Sequence, residues 1–408
     1  MKFAMKPWKV LLVFGSALFV LLGLTVAHDR DHRSPQPGHY TLTKLVSNTG
    51  DAPLNDPNLQ NAWGLVSSPG SPFWVSNNAG GTSTLYAINA TGTAATIIPI
   101  NPAPNEFVLI PNAPSQPAPG SPTGVMFNGS PTDFVIPAGK KGAGNQAIFI
   151  FVTEDGTVQA WNPGPKGVNA GSAVIIVDNS QKPDATNGAV YKGATIAEIE
   201  GMRFILAANF RSGRIDVFDT NFNQVHPSQL RFSEDAFEDN QIPHGFAPFN
   251  VQGVGPNIYV TYAKQDAPRH DPVVPGEPGD GFVDVFDHHG RLLQRLEHGP
   301  WFNAPWGVVW ATQHFGEFTN TILIGQFRGS NVPAVAAFNP VTGRFLGNML
   351  NPDGSPLMID GLWALRFGND HNAGPGTTLF FTAGPNGERD GLLGTLTPVG
   401  AEQDGDEQ

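Results

Sequence analysis

Short apolar segments in which every second position is polar recur along the chain, each followed by a polar corner and a second alternating segment. This two-residue period is typical of strands, because successive side chains point to opposite faces of a sheet. The clearest copies are the two DVFD strings at 216–219 and 284–287. No convincing segment with the 3.6-residue period of a helix accompanies them. The pattern therefore predicts an all-β fold built from repeated hairpins.

Six glycines that open an apolar segment mark the repeat. They are Gly64, Gly124, Gly193, Gly245, Gly307 and Gly361. Their spacing of roughly 50–70 residues is the period expected of radially repeated sheets. A unit of three or four short strands cannot bury both of its faces alone, whereas six units around an axis bury them against one another. We therefore expect a single-domain, six-bladed β-propeller; the alternative, a pair of β-sandwiches, is disfavoured by the regular order of the units.

Segments outside the repeat define the predicted boundaries of the domain. The strand Tyr40–Ser47 alternates and precedes the first glycine, so we expect it to complete the last blade and close the ring. The propeller then spans residues 40–398, with inserted loops at about 98–122, which is rich in proline, and about 265–281. The acidic tail 399–408 is predicted to be disordered.

The amino-terminal segment has the pattern of an export signal. Three lysines precede or flank the start of the apolar run Val10–Val26, and the small residues Thr25-Val26-Ala27 offer a cleavage site. We expect residues 1–27 to be a signal peptide and residues 28–39 a flexible linker. The mature protein is then periplasmic or secreted, with no membrane segment. The alternative is an uncleaved anchor, since the apolar run is at the short end of what spans a bilayer.

Composition narrows the classes of partner. The chain has no cysteine, which excludes disulfides and thiolate metal sites. Its formal net charge of −12 disfavours nucleic acid as a partner. The 48 glycines and 37 prolines fit many short strands joined by turns. We expect a monomer whose ligand is a small molecule, a glycan or a protein.

Four strings give the chain a resemblance to a known family. They are NAWGL at 61–65, VYKGA at 190–194, AANFRSGRIDVFD at 207–219 and NAPWGVVW at 303–310. The chain resembles a family of uncharacterised bacterial exported proteins that look like NHL-type six-bladed propellers, more distantly similar to the senescence-marker and gluconolactonase group. The resemblance covers nearly the whole chain after residue 40. It implies the fold and export, and it implies no activity.

The residue before each repeat glycine is expected near the mouth of the central channel. These ring positions hold Trp63, Thr123, Lys192, His244, Trp306 and Asp360. In the gluconolactonase-like relatives, Glu, Asn and Asp at such positions hold a hard cation, since Ca²⁺ prefers several oxygen ligands. Here a lysine and two tryptophans accompany a single carboxylate. The ring therefore predicts no metal or cofactor, with Ca²⁺ as the disfavoured alternative.

Two kinds of chemistry are open to this ring. His244 is the candidate general base, with Asp360 to orient it and Lys192 to stabilise an anionic intermediate. The competing interpretation makes His244 and Asp360 ordinary turn residues. Trp63, Thr123 and Trp306 are candidate ligand-binding residues. Exposed tryptophans would stack on sugar rings, whereas buried ones would simply plug the core.

Polar residues also recur at the corner between the two strands of each unit. The corners are Asn77-Asn78, Glu154-Asp155, Asn209 with Arg211, Lys264 with Asp266, Gln326 with Arg328, and Asn386 with Glu388 and Arg389. Asn, Asp and Gly tolerate turn geometry, so the repetition favours a structural role. The alternative is ligand binding by Asn209, Arg211 and Arg328, with the two arginines clamping a carboxylate or sulfate.

The sequence thus favours an exported propeller that binds a glycan, polymer or protein partner at one rim or at the channel mouth. The first alternative is a hydrolase or lactonase acting at the channel mouth, and the second is a structural scaffold of the cell envelope. Binding predicts exposed tryptophans at the mouth, and hydrolysis predicts a polar pocket there. A scaffold predicts a plugged channel with an apolar patch on an outer face.

Overall fold

The computed structural model describes residues 38–100, 106–164, 171–226, 235–311 and 314–400. They belong to one compact unit that covers Pro35–Gln408. The predicted signal peptide, nearly all of the predicted linker and the tail 401–408 lie outside the described residues. Within the described ranges, no helix has the length and apolarity needed to cross a membrane.

Strands dominate the described chain, and they come in six consecutive groups. The first group contains β3 (Ala62–Val66), β4 (Phe73–Asn77), β5 (Thr82–Ile88) and β6 (Ala95–Ile97), with β7 (Phe107–Leu109) also paired to β5; it is preceded by β1 (Gly38–Ser47) and β2 (Leu54–Asn55). The second contains β8 (Pro122–Phe127), β9 (Phe149–Thr153), β10 (Thr157–Trp161) and β11 (Val174–Asp178). The third contains β12 (Tyr191–Ile199), β13 (Met202–Asn209), β14 (Arg214–Phe218) and β15 (Gln224–Val225).

The remaining three groups repeat this arrangement. The fourth contains β16 (Phe246–Val254), β17 (Asn257–Lys264), β18 (Gly281–Phe286) and β19 (Leu292–Arg295). The fifth contains β20 (Pro305–Ala311), β21 (Thr321–Gln326), β22 (Val335–Phe338) and β23 (Phe345–Leu350). The sixth contains β24 (Leu362–Phe367), β25 (Leu379–Ala383) and β26 (Leu392–Pro398), with β1 as its outermost strand. Helical structure is limited to the 3₁₀ turn Gly316–Phe318 and the single turn α1 (Pro385–Glu388) in these described parts.

The first strands of the groups form a closed ring. β3 packs against β8, β8 against β12, β12 against β16, β16 against β20 and β20 against β24, and β24 returns to β3. Within each group, neighbouring strands run antiparallel from this inner strand outwards. This order confirms the predicted all-β propeller, because only radial packing around an axis gives every inner strand two inner-strand neighbours.

The core lies between adjacent groups rather than within any one of them. Ile150 and Val152 of β9, for example, share one apolar cluster with Ile205 of β13 and Phe218 of β14. Further clusters join the other neighbouring pairs of groups. A strand with apolar side chains on both faces can be buried on both faces in this arrangement, which explains the fully buried runs of β4, β9 and β21.

β1 closes the ring, as the sequence predicts. It runs antiparallel to β26 from the pair Tyr40–Pro398 to the pair Ser47–Leu392, and Gly38 and His39 also pair in parallel with β23. Tyr40 is fully buried, its hydroxyl donates to the carbonyl oxygen of Phe315 at 2.9 Å, and its ring stacks on that of Phe315. The amino-terminal strand therefore supplies both backbone pairing and core to the last group.

The two predicted insertions differ in character. The segment around 98–122 is not loop throughout, because it contains β7 and the first residue of β8. Val108 is fully buried against the first group while Leu109 is exposed, so a two-residue period is present there despite the prolines. The segment 265–281 lies between β17 and β18, where the sequence places it.

Candidate functional site

Every inner strand carries a β-bulge at one equivalent position. The pairing register shifts between Ala62 and Leu65 of β3 and at the corresponding place in the other five inner strands. In four of the six, this bulge contains a predicted ring residue followed by its glycine. A Cβ added to Gly193 would lie 1.9 Å from Oδ1 of Asn250 on the next inner strand. Glycine is required there because adjacent inner strands touch around the axis.

The ring positions predicted in the fourth and sixth groups are wrong. Gly245 and Gly361 precede β16 and β24, with φ of +91° and +65°, so they are turn glycines. The bulges of β16 and β24 contain Phe249 and Trp363 instead. The ring therefore consists of Trp63, Thr123, Lys192, Phe249, Trp306 and Trp363.

The structure does not bring His244 and Asp360 together. His244 is exposed and has no hydrogen bond or ion pair among the described residues. Asp360 is also exposed, and its carboxylate accepts a hydrogen bond from the backbone N–H of Asn386 at 2.9 Å. The contact of Asp360 matches its turn interpretation, and the predicted base His244 lacks its orienting carboxylate.

The aromatic ring residues pack against one another and fill the axis. Trp63 stacks on Trp363 with ring centroids 3.5 Å apart, and Trp306 meets both edge-on. Trp63 and Trp306 are only 1% and 5% exposed, so the predicted stacking platform for a sugar is wrong. We call this cluster, with Phe210, Phe249 and Phe327 around it, the aromatic plug.

Two further candidate ligand residues have structural partners. The buried hydroxyl of Thr123 lies 3.1 Å from the carbonyl oxygen of Val152 and 2.8 Å from that of Tyr191, which links the second and third groups. The side chain of Asn209 donates to Asp216 at 2.9 Å and accepts from the backbone of the β13–β14 turn. Both side chains are therefore occupied within the fold.

Lys192 is the polar member of the ring, and it anchors a cluster of charges on one side of the aromatic plug. Its side chain is fully buried. The ammonium donates to a carboxylate oxygen of Glu154, at the β9–β10 corner, and to Oδ1 of Asp271 at 2.7 Å, in the β17–β18 loop. Nζ also lies 5.2 Å from the ring centroid of Trp63. One cation thus joins three different groups of strands at the channel mouth.

An amide relay fixes the other oxygen of Glu154. The indole N–H of Trp363 donates to Asn61 at 3.1 Å, Asn61 donates to Asn78 at 3.2 Å, and Asn78 donates to Glu154 at 2.8 Å. Each amide then has its oxygen and nitrogen orientation set by its neighbours. The relay ties the position of the carboxylate to the aromatic plug.

The pKa values of Lys192 and Asp271 are shifted from their usual values. Burial alone would lower the pKa of Lys192, but Glu154 and Asp271 outweigh it and hold the pKa above its usual value. Burial would raise the pKa of Asp271, yet Lys192 and His270 hold it well below its usual range. Nδ1 of His270 lies 3.0 Å from the second oxygen of Asp271. Lys192 and Asp271 therefore remain charged at neutral pH.

Glu388, at the β25–β26 corner, has a raised pKa, in contrast to the lowered pKa of Asp271. Burial, together with the negative charges of Glu154 and Asp271, raises its pKa to about 7, although Lys192 and Arg328 act to lower it. A carboxyl group that titrates near neutral pH is suited to exchange protons with a bound molecule.

Two arginines from other corners complete the polar surroundings. Burial lowers the pKa of Arg328, whose guanidinium lies 4.2 Å from the ring centroid of Phe327 and whose Nε has no hydrogen-bond partner. Burial also lowers the pKa of Arg211, which donates to the carbonyl oxygen of Gly188 at 3.0 Å but leaves its buried Nε unpartnered. Both arginines therefore have a buried Nε–H group without a hydrogen-bond partner.

Glu154, His270 and Asp271 also place three potential metal ligands within 4.8 Å of one another. Lys192 argues against a divalent ion, because its ammonium already lies between the two carboxylates and would repel a second cation. One imidazole and two carboxylates are also fewer oxygen ligands than Ca²⁺ prefers. This donor set does not fit a hard metal ion while Lys192 is in place.

Most residues of this charged cluster belong to the polar corners that recur in the sequence. Asn78, Glu154, Arg211, Arg328 and Glu388 all follow the second strand of their groups. Their equivalent positions make a turn role the simpler interpretation, and only the closed ring shows that the corners surround one mouth. Lys192, Arg211 and Arg328 were predicted as site residues, whereas Glu388 was noted only as part of a corner.

Comparisons with known proteins give fold-level similarity. No family model matches the chain. Two uncharacterized proteins of Acanthamoeba polyphaga mimivirus are each 28% identical over 364 residues, which cover 88% of this chain and 80% and 85% of theirs. These relatives are viral and give no support to the predicted bacterial family.

Solved structures similar to this chain include three proteins with different described activities. The PQQ-bound aldose sugar dehydrogenase of Streptomyces coelicolor has a TM-score of 0.43 and 11% identity, covering 89% of this chain and 99% of its own. A streptogramin B lyase has a TM-score of 0.43 and 10% identity, covering 88% and 97%. The calcium-binding protein regucalcin of Agrobacterium tumefaciens has a TM-score of 0.36 and 11% identity, covering 68% and 90%. The propeller assignment follows from the sheet order of this chain itself.

Proposed function

We propose that one mouth of the channel is the active site of a hydrolase that acts on a small ester or lactone with an anionic group. We call it the Lys192 mouth, and it is formed by Lys192, Glu154, Asp271, Glu388, Arg211 and Arg328. The observation that carries this proposal is the raised pKa of about 7 at Glu388, beside the clamped Lys192–Glu154–Asp271 cluster and the incompletely partnered Arg328. Charged groups held in fixed positions in a partly buried pocket are a common feature of active sites.

Glu388 is the proposed general base. In its ionised form it takes a proton from a water molecule as the oxygen of that water attacks the ester carbonyl carbon. The carbonyl π electrons move to oxygen, and the N–H groups of Arg328 stabilise the resulting oxyanion. When the tetrahedral intermediate collapses, the C–O bond to the alcohol breaks and Glu388 returns its proton to the leaving oxygen. Arg211 binds the anionic group of the substrate.

Lys192 has a positioning role in this proposal. Its ammonium is fully buried and committed to two carboxylates, so it neither touches substrate nor gives up a proton near neutral pH. It holds Asp271 in its charged form and fixes the position of Glu154, and the negative charges of these two residues add to burial in keeping the pKa of Glu388 high. The cation thereby sets the pH at which the base works.

Binding of a glycan or polymer by tryptophan stacking at this mouth has lost its basis, because Trp63 and Trp306 are buried in the aromatic plug. Protein binding at the rim stays a prediction. Export is likewise our proposal from the amino-terminal pattern, and amino-terminal sequencing of the mature protein would test it by finding His28 first.

A panel of lactones and activated esters, with and without a carboxylate, tests the proposed activity. We expect turnover to rise as the pH passes through about 7, and Glu388→Gln to reduce it at least about 100-fold, since general bases contribute that much or more. Glu198→Gln is the matched control, because Glu198 is an exposed acid on β12. Arg328→Met should lower kcat, whereas Arg211→Met should raise KM. No turnover of any panel member, or equal activity of the two Gln variants, would contradict the proposal.

A further inference from the structure

The channel has a cavity on the side of the aromatic plug away from Lys192. It measures about 150 Å³ and is lined by residues of all six inner strands. Its wall combines the apolar side chains of Leu65, Val125, Val254, Val308 and Leu365 with polar surface of at least equal extent. These residues come after the bulge in their inner strands. Lys192 is itself in a bulge, and its partners Glu154 and Asp271 are in the corner and the loop beyond the other end of the inner strands. The two sites are thus at opposite ends of the same channel.

Arg366, on β24, is the charged residue of this cavity. Its side chain is surrounded by protein yet keeps part of its surface open to the cavity. It has no hydrogen bond or ion pair with any other residue in the described ranges. Burial lowers its pKa, and no acidic group counters the effect. A guanidinium that lines a cavity and has no acidic partner is a suitable contact for an anion.

Two tryptophans that line the cavity have indole N–H groups without an acceptor. The indole N–H groups of Trp306 and Trp310 are buried, and neither makes a hydrogen bond. Trp306 is only 5% exposed. By contrast, the amide of Asn250 is fully used, donating to the carbonyl oxygen of Trp306 at 2.8 Å and accepting from the N–H of Val251 at 2.8 Å. The unsatisfied polar groups at this end are therefore all donors.

We propose that this cavity binds a small carboxylate with an apolar body. The carboxylate pairs with the guanidinium of Arg366, whose planar N–H groups match both oxygens, and the apolar part lies against the aliphatic wall. A cavity of about 150 Å³ accommodates a molecule the size of benzene. The site is separate from the proposed catalytic mouth, because the aromatic plug lies between them.

Titration with benzoate tests this site by calorimetry and by tryptophan fluorescence, with benzyl alcohol as the neutral probe of similar size. We expect benzoate to bind the wild-type protein and benzyl alcohol to bind at least about 10-fold more weakly, because a charged hydrogen bond is lost. Arg366→Met should reduce benzoate affinity by about 10- to 100-fold. The variant should fold normally, because it removes a charge without a partner.

Arg214→Met serves as the matched control, since it removes an exposed arginine of β14 that lines neither this cavity nor the catalytic mouth. It should leave benzoate affinity unchanged. If Arg366→Met does not fold, Arg366→Gln takes its place in the same titrations. Failure of the wild-type protein to bind benzoate with a dissociation constant below roughly 10 mM, or equal affinity in the Arg366 variant, overturns the proposal. Neither result bears on hydrolysis at the Lys192 mouth.

Discussion

The ammonium of Lys192 lies 2.7 Å from Oδ1 of Asp271, which is 79 positions further along the chain. Lys192 is in the bulge of an inner strand, whereas Asp271 belongs to an inserted loop of the next group. The ion pair therefore attaches the loop to the axis of the propeller. Because Lys192 also binds Glu154 of the preceding group, the same cation holds three groups at one mouth.

Removing this cation should destabilise the protein in a pH-dependent way. We expect Lys192→Met to lower the free energy of unfolding at pH 7 by about 2–3 kcal/mol, less than for a fully buried pair because Asp271 is half exposed. Lys44→Met, which breaks an exposed ion pair with Asp51, should cost less than about 1 kcal/mol. Urea unfolding measures both, and equal losses would contradict a special role for Lys192.

The sign of the pH dependence follows from Asp271. Its folded pKa is lowered, so in the wild-type protein its contribution is present above the unfolded pKa of about 3.9 and is lost as the pH falls further. Without Lys192, burial raises the pKa of Asp271, so the variant gains stability as the pH falls from 7 towards 5. The difference between the two proteins should shrink over this range. A constant difference would contradict the account.

Glycine in the inner-strand bulge should be far less replaceable than glycine in a turn. We expect Gly193→Ala to cost at least about 3 kcal/mol, because its Cβ would lie 1.9 Å from Oδ1 and 2.9 Å from Cα of Asn250. Gly245→Ala should cost only about 1 kcal/mol, since its Cβ meets nothing within 4 Å and the strain comes from φ alone. Thermal unfolding of both variants checks this. Similar losses would contradict the corrected ring.

Loss of the closing strand should open the ring. A chain that begins after residue 50 lacks β1, which leaves the edge of β26 unpaired and removes the buried Tyr40. We expect a sharply lower Tm and a tendency to aggregate. A peptide of residues 38–50 added in trans should restore part of the Tm. An unchanged Tm in the truncated protein would show that the ring closes without β1.

Chelation should leave the stability nearly unchanged. With Lys192 between Glu154 and Asp271, the mouth lacks a favourable position for a divalent ion. A metal at 100 times its dissociation constant would add about 2.7 kcal/mol to the free energy of unfolding. We therefore expect the same Tm in EDTA and in Ca²⁺. A Tm several degrees lower in EDTA, restored by Ca²⁺, would contradict the proposed role of Lys192.

The fold could be predicted from the sequence because its determinants are local. The two-residue period, the repeated glycines and the strand Tyr40–Ser47 all lie in short strings of residues. The ring was only partly predictable, since a glycine in a bulge and a glycine in a turn both precede an apolar segment. When the repeats are aligned on tryptophan instead of glycine, Trp363 aligns with Trp306. This alignment shows that Gly361 is not the equivalent of Gly307.

The site could not be predicted because its contacts are not local. Glu154 and Lys192 are 38 positions apart, and their pairing depends on how two neighbouring groups pack around the axis. The pKa of Glu388 depends on burial and on charges from four other groups of strands. A sequence pattern identifies the polar corners, but the closed ring decides which of them meet.

The contribution of Glu388 to stability changes with pH in the opposite direction from that of Asp271. Its folded pKa of about 7 is above the unfolded value, so its contribution to stability is present below about pH 4.5 and is lost as the pH rises through 7. Asp155 and Asp284 have pKa values raised to about 6 and about 7 and titrate in the same range. Only a comparison with Glu388→Gln therefore isolates this carboxyl group.

The titration of the Glu388 carboxyl carbon by ¹³C NMR tests the central claim most directly. In protein labelled at the glutamate carboxyl groups, the resonance that is absent from Glu388→Gln should titrate at about 7. Arg328→Met should move this pKa upwards, because Arg328 lowers it in the wild-type protein. A Glu388 resonance that titrates near the unperturbed value of about 4.3 would contradict the proposed base and the charge cluster around it.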